Sequence, residues 1–464
     1  MTNWLPDKSV LQKPAYKSLA EQISSAILSG ELEPGERLPP QRDLAYDLEI
    51  SLQTVSRAYD ELRRWGLIQG EVGRGTFVRT RPRPRPETMP FGSAPAPDSI
   101  VELSIYKPVL GSLHEDFIKN ALTTLANNLP PDILFSFRPN QGIERHISSS
   151  IEWLKLCGLD AERSRVLITN GVTQGTTSAL LAISKPGGII ATEAVGHHSL
   201  AALCSSLGMK LIGLKLDGGG ILPEAFEQVC RTCDISALYL IPNLSNPTAY
   251  FMPEERREEI GAIARKHNVY IIENDVLGPL VTNKPRPFVE IIPEQAIYLT
   301  SFTKCIMPGL RTGYMVVPPR MLGVVRSRLL ATAWMATPLI AEIASRWVLD
   351  GTARKLILWQ RRALHERHRL AEQILGHRGI RSHANALHVW LPLTGRWRPD
   401  PFAAQAMEQG VAVAPSGPFL IDNEADVRAI RISLGAAGKS DLERGLHVID
   451  QLLDREVEYA FDSF

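Results

Sequence analysis

The chain is 464 residues long, too long for one ordinary hydrophobic core, so two or three domains are expected. With 51 basic side chains against 50 acidic ones, a formal net charge of +1 and 44% hydrophobic residues, its composition is that of a soluble globular protein; the balance does not exclude a nucleic-acid partner, because a local basic patch can hide inside it. No stretch approaches ~20 uninterrupted apolar residues, and the opening "MTNWLPDKSV" has no basic segment followed by an apolar one, so neither a membrane span nor a secretory leader is expected and the cytoplasm is the expected compartment.

Residues 15–29, "AYKSLAEQISSAILS", place apolar side chains at 16, 19, 20, 23, 26 and 27, which predicts a helix with one apolar stripe. The run "GELEPGERLPPQRDLAYDLEI" holds a turn and a second short helix starting near Gln41. "SLQTVSRAYDELRRWG" then puts Val55, Ala58, Tyr59, Leu62 and Trp65 on one face, while Ser51, Gln53, Thr54, Ser56 and Arg57 crowd its first turns. Helix–turn–helix readers present those early turns to the major groove, where short polar side chains and arginine meet base edges. "GLIQGEVGRGTFV" reads as two strands joined by Gly73-Arg74-Gly75, a hairpin tip able to lay arginine along phosphate. By periodicity alone, a small helical module that binds protein fits as well.

The whole run "LPPQRDLAYDLEISLQTVSRAYDELRRWGLIQGEVGRGTFV" closely resembles the winged helix–turn–helix of the GntR family of bacterial transcription regulators. The resemblance implies double-stranded DNA as a partner, with Arg42, Ser51, Gln53, Thr54, Arg57 and the wing Gly73-Arg74-Gly75 at the positions that meet it. Pro40 stands where that family usually has serine before the second helix, which removes one cap.

Residues 80–99, "TRPRPRPETMPFGSAPAPDS", carry six prolines, which forbid helix or central strand and predict an extended linker. At ~3.1 Å per residue it spans about 60 Å. The expected organisation is a reader at 12–79, this linker at 80–99, a large domain at 100–320, and a connecting helix with a small α+β domain at 321–464.

In the large domain, "RVLITNG", "GGIIATEA", "KLIGLKL", "ALYLIPN", "VYIIEND", "AIYLTSF" and "TGYMVVPP" alternate with helical patterns. Short, doubly apolar runs between helices predict a mostly parallel sheet covered on both faces, an α/β fold. "ALHVWLPL" and "AIRISLG" read as strands of the smaller unit. Five cysteines (157, 204, 230, 233 and 305) fit a reducing cytosol. Cys230 and Cys233 form a C-x-x-C spacing, but no second pair completes a zinc site, so no metal is expected and all five are read as structural.

Several strand ends carry chemistry. Lys304, in "SFTKCIMPGLRTGYM", follows an apolar strand with little charge around it, and a lysine at the mouth of a buried sheet is a nucleophile toward aldehydes. Asp275 ends "VYIIEND", Asn246 precedes a proline in "IPNLSNPTAY", and "VLITNGVTQGTTSALL" is a strand–loop–helix whose first amides and hydroxyls suit a phosphate. Ser301 and Arg311 could complete an anion cradle. Singly, each has an ordinary explanation as a turn, a cap or a surface charge.

In order, "TNGVTQG", "NPTA", "IENDVLG", "SFTKCIMPGLRTGYM" and "AIRISLG" closely resemble the landmarks of fold-type I aminotransferases, whose cofactor is pyridoxal 5′-phosphate. The resemblance implies that Lys304 forms the internal aldimine, that Asp275 pairs with the pyridinium nitrogen and that Asn246 bonds the phenolic oxygen. It assigns the phosphate to Thr173, Ser301 and Arg311, with the Val172 and Gln174 backbone nearby, and a substrate carboxylate to Arg431. There are two departures. His197 stands where relatives stack an aromatic ring on the cofactor, and Leu277 stands where they commonly carry a tyrosine.

A GntR-like reader, a proline-rich linker and an aminotransferase-like domain together resemble the MocR-type regulators. That resemblance implies a head-to-tail, domain-swapped homodimer that senses a small amine or amino-acid effector, or the vitamin itself. A working aminotransferase with an appended DNA-binding domain, and a regulator that has lost its cofactor, remain the alternatives.

Overall fold

The computed structural model describes residues 4–11, 14–29, 31–33, 35–64, 67–71, 75–78, 100–135, 143–395, 397–421 and 426–454. The expected linker at 80–99, Trp65, Gly73 and Arg74 lie outside them. The chain divides into two compact units, residues 1–88 and 89–464.

The first unit packs helices α1 (Ala15–Ser29), α2 (Gln41–Asp47) and α3 (Leu52–Arg64) with a hairpin of β1 (Ile68–Glu71) and β2 (Gly75–Val78). The expected stripes form its core: Leu19, Ala20, Ile23 and Ala26 of α1 meet Val55, Ala58, Tyr59 and Leu62 of α3, all buried. The Tyr59 hydroxyl donates to the Pro39 carbonyl at 2.8 Å, tying down the loop before α2. Helix α2 follows Pro40 without a side-chain cap, whereas the Ser51 hydroxyl accepts from the Thr54 amide at 3.1 Å and caps α3. Gly75 opens β2 rather than sitting at the hairpin tip; at φ +121°, a Cβ there would lie 2.7 Å from Arg37 Nε.

In the second unit, every strand expected from the sequence is present. They follow β3 (Val101–Glu102): β4 (Val166–Thr169), β5 (Ile189–Glu193), β6 (Lys210–Leu214), a two-strand ribbon of β7 (Leu216–Asp217) and β8 (Gly220–Ile221), then β9 (Ile235–Leu240), β10 (Tyr270–Asn274), β11 (Ala296–Ser301) and β12 (Gly313–Val316). The main sheet has the order β4-β12-β11-β10-β9-β5-β6, parallel except for β12. One face buries Tyr239, Ile272, Ile297 and Met315 with Ala179 and Leu180 of a covering helix. The other buries Leu238, Ile271, Tyr298 and Tyr314 with Trp153 and Phe226. Successive strand residues point to opposite faces, so Ile271 and Ile272 belong to different cores. That parity decides the site below.

The C-terminal lobe has its own core and the sheet β13 (His388–Pro392), β16 (Ala429–Ser433) and β15 (Ala414–Pro415), while β14 (Val411–Ala412) pairs with β3. Val101 and Leu103 lie in that core, so the lobe is completed by chain from before the main sheet.

Candidate functional site

The parallel strands β9, β10 and β11 end side by side, the place where open α/β sheets receive ligands. A cleft lies there, and Val172, Thr173, His197, Asn246, Ser301, Lys304 and Arg311 all line it. Residues that are far apart in sequence converge because each follows the C-terminal end of a strand.

The loop after β4 enters a helix, α4 (Gly171–Ile183), which places Val172 and Thr173 in its first turn. The opening amides of a helix have no intrahelical acceptor, and with the helix dipole they favour an anion. Gly171 has φ +76°, and a Cβ on it would lie 3.2 Å from the Arg311 guanidinium. Gly171→Ala is therefore expected to cost about 1–3 kcal/mol of stability and to weaken phosphate binding. Denaturant melts and cofactor titration check this; unchanged values in both would refute the loop geometry. Gln174 does not line the cleft: its side-chain carbonyl accepts from the Asn170 amide at 2.6 Å.

Lys304 follows β11, and its ammonium donates to the Tyr106 carbonyl. Burial, then the charges of Arg431 and Arg311, push its pKa down to about 8. His197 precedes the helix His198–Ser206; its ring stacks on His198 at 4.9 Å and shares a 2.8 Å hydrogen bond with Ser199. Burial, with His198, Lys304 and Arg431 nearby, lowers its pKa well below the ordinary value and keeps the imidazole neutral.

Asp275 is a correction. It does not line the cleft; it lies on the opposite face, fully buried, where Lys284, the Tyr298 hydroxyl at 2.6 Å and the Asn243 amide at 3.0 Å bond its carboxylate. Burial pushes its pKa up, but Lys284 and these donors outweigh that and hold it below the usual range. The residue that faces the cleft is Asn274, followed at the same parity by Val276. Leu277, read from the sequence as the tyrosine position, is packed in the apolar core.

Arg431 is a second difference. It is fully buried on β16, does not line the cleft, and donates to Asn246 Oδ1 at 2.8 Å and to the Ser104 carbonyl. Burial lowers its pKa to about 10, so it stays charged at neutral pH. The wall also includes Tyr106, Thr176, Ser199, Tyr239 and Thr303, which sequence reading missed. Thr303, beside Lys304, and Thr176, in the strand–loop–helix after β4, carried a signal as hydroxyls of the two anion-binding segments.

Among the described residues, three buried wall atoms have no partner within the protein: Asn246 Nδ2, Asn274 Oδ1 and Thr303 Oγ1. Buried polar groups left this way are costly unless a ligand engages them. An amine of lowered pKa, an anion cradle and these polar atoms fit pyridoxal 5′-phosphate. In the first unit, Arg42, Gln53 and Arg57 are exposed, and the Arg57 guanidinium lies 4.0 Å over the Tyr16 ring. Ser51 and Thr54 also share a 2.8 Å hydroxyl bond, so both are engaged in capping.

Fold and site together define an aminotransferase-like, cofactor-binding domain on a chain that opens with a winged helix–turn–helix. Residues 101–449 match the family of aminotransferases class I and II, and the chain belongs to it; pyridoxal 5′-phosphate is the cofactor to which its cleft is fitted. Residues 15–78 match the bacterial regulatory proteins of the gntR family, which makes the N-terminal unit a DNA-binding domain of that type. The chain is 28% identical over 455 residues to the HTH-type transcriptional regulator YdeF of Bacillus subtilis, covering 97% of each. It is 27% identical over 371 residues to the HTH-type pyridoxine biosynthesis transcriptional regulator PdxR of Corynebacterium glutamicum, covering 77% of this chain and 78% of that one. Among solved structures, the kynurenine aminotransferase of Pyrococcus horikoshii superposes with a TM-score of 0.70 at 19% identity, covering 78% of this chain and 92% of its own. No helix among the described residues is long and apolar enough to cross a membrane.

Proposed function

We propose that this protein is a cytoplasmic, homodimeric transcription regulator that senses a primary amine or amino acid, or pyridoxal 5′-phosphate itself, at Lys304 and changes its grip on an operator. The observation that carries this reading is a lysine of lowered pKa in a cleft whose wall can cradle an anion, on a chain that carries a GntR-type reader. When bound, pyridoxal 5′-phosphate supplies a carbonyl that condenses reversibly with primary amines. Lys304 offers the resident amine. The first amides of α4, Ser301, Thr303 and Arg311 hold the phosphate, His197 covers one face of the ring, and Asn246 meets the phenolic oxygen.

Arg431 recognises an anionic effector by exchanging its bonds to Asn246 and Ser104 for a carboxylate, for which its planar fork is suited. That exchange joins the C-terminal lobe to the state of the cleft. Two readers in a head-to-tail dimer, each on the partner's large domain, would read paired half-sites. A coupling of ~1–3 kcal/mol between effector and operator would change affinity about 5- to 150-fold. PdxR, named for pyridoxine biosynthesis, supports keeping the vitamin itself among the candidate signals.

The test is a spectral titration of the purified protein with a panel of amines and 2-oxoacids, run beside an operator-binding assay. An effector that changes the spectrum and shifts operator affinity is the expected result. Sustained multiple-turnover exchange without any effect on DNA would instead make the protein a working aminotransferase.

A further inference from the structure

We propose that Asn274 is the side chain facing the ring nitrogen of bound pyridoxal 5′-phosphate and that it leaves this nitrogen unprotonated. The inference rests on the cofactor reading above. It concerns what the site does to the cofactor rather than whether it binds.

The first support is the phase of the strands. Asn274 and Val276 line the cleft together with Tyr239 of the neighbouring strand β9 and Ile241 just beyond its end. Asp275, one residue out of phase, is turned to the far side of the sheet. The second support is the state of Asn274. It is 3% exposed, its amide donates to the Tyr239 hydroxyl at 2.6 Å, and its carbonyl has no partner in the protein. Rotating the amide by half a turn exchanges these roles, and Tyr239 can serve as donor or acceptor in either case. Both arrangements leave one polar atom of Asn274 for a ligand, and neither supplies charge.

A ring nitrogen holds its proton in a buried site when a carboxylate stands beside it. The charged groups around this cleft argue the other way. Arg311 and Arg431, whose charges already lower the Lys304 pKa, disfavour a further cation. The Asp275 carboxylate is neutralised by Lys284. Glu193, on β5 behind Tyr239, is fully buried; burial raises its pKa, and its oxygens accept from the Thr192 hydroxyl, the Ile241 amide and the Tyr250 hydroxyl. Cys204 has its thiol pushed up to about 11, and His197 is neutral. Among the described residues that line the cleft, none is a carboxylate.

Electron withdrawal by a protonated ring nitrogen is what makes proton loss from the carbon next to a bound amine favourable. Without it, amine exchange at the carbonyl continues while chemistry at that carbon is suppressed. A site of this kind recognises an amine and leaves it intact.

The experiment uses the full chain reconstituted with pyridoxal 5′-phosphate carrying nitrogen-15 in the ring, read by nitrogen NMR near neutral pH. Wild type should give the resonance of an unprotonated pyridine. Asn274→Asp should move it to the pyridinium position. The double variant Asp275→Asn with Lys284→Met, which replaces the buried pair without stranding a charge, should leave the wild-type resonance in place. A pyridinium resonance in wild type that disappears in the double variant would overturn the proposal and return the role to Asp275. A wild-type protein that forms no visible band and no borohydride-trapped adduct on Lys304 would remove the cofactor reading itself, and this inference with it.

Discussion

Replacing Lys304 by Ala is expected to abolish the visible band and the borohydride-trapped adduct of the protein with pyridoxal 5′-phosphate. The phosphate cradle persists in this variant, so reversible, colourless binding should remain, and mass spectrometry after reduction distinguishes the two. A trapped adduct that survives would place the reactive amine elsewhere. The pH dependence follows from the lowered pKa. An ordinary lysine at 10.5 is almost wholly protonated at pH 7, whereas a group at about 8 leaves about one amine in ten neutral and nucleophilic. Adduct formation should therefore rise about tenfold per pH unit up to about 8 and then level off. The stability linkage has the opposite sign to that of a salt-bridged lysine. The folded chain binds this proton less tightly than the unfolded chain does, so Lys304 opposes folding of the cofactor-free protein below about pH 8, and the cost fades as pH rises from 8 toward 10.5. Lys304→Met should consequently melt higher than wild type at pH 6 when no cofactor is present.

The second large effect is expected behind the cleft. Asp275→Asn leaves the Lys284 ammonium, 6% exposed, buried beside a neutral amide. Removing one partner of a buried pair costs about 3–5 kcal/mol, whereas replacing both by neutral groups of similar volume is close to neutral. Urea melts of Asp275→Asn should show that loss, and adding Lys284→Met should recover most of it. Loss of less than about 1 kcal/mol in the single variant would mean that the pair is hydrated or misassigned. The signs with pH are fixed by the directions of the two shifts. Asp275 is held below its ordinary 3.8, so its contribution is present above that pH and disappears as pH falls through its folded value. Lys284 moves the other way: burial lowers its pKa, but Asp275 and its neighbours raise it above 10.5, so its contribution is lost only as pH rises through the folded value. Neither titration lies near neutrality, which makes the pair a constant of the fold rather than a sensor.

Much of the architecture was legible because its signals are local. Apolar runs of β length separated by helical periodicity identify each strand of the main sheet before any contact is known. The stripe Val55, Ala58, Tyr59 and Leu62 likewise identifies the face that α3 buries. Lys304, Ser301, Asn246, Thr173 and Arg311 could be named because each sits just beyond a strand or at a helix start, and strand ends converge whatever the details of packing. Tyr106, Ser199 and Tyr239 could not, since an aromatic or hydroxyl side chain in an ordinary apolar or polar context gives no sign of what it faces.

The chain's own order of residues determines that β10 is a buried strand, and that polar chemistry waits where it ends, in Glu273-Asn274-Asp275. It does not determine which of the two neighbours enters the cleft. In a strand with one wet face, alternation of polar and apolar residues would reveal the phase; here Ile271 and Ile272 are both fully buried, in different cores. Only the docking of helices on the two faces sets the phase. That docking sends Asp275 to Lys284, whose place in the sequence nine residues away announces nothing, and leaves the uncharged amide of Asn274 facing the cleft.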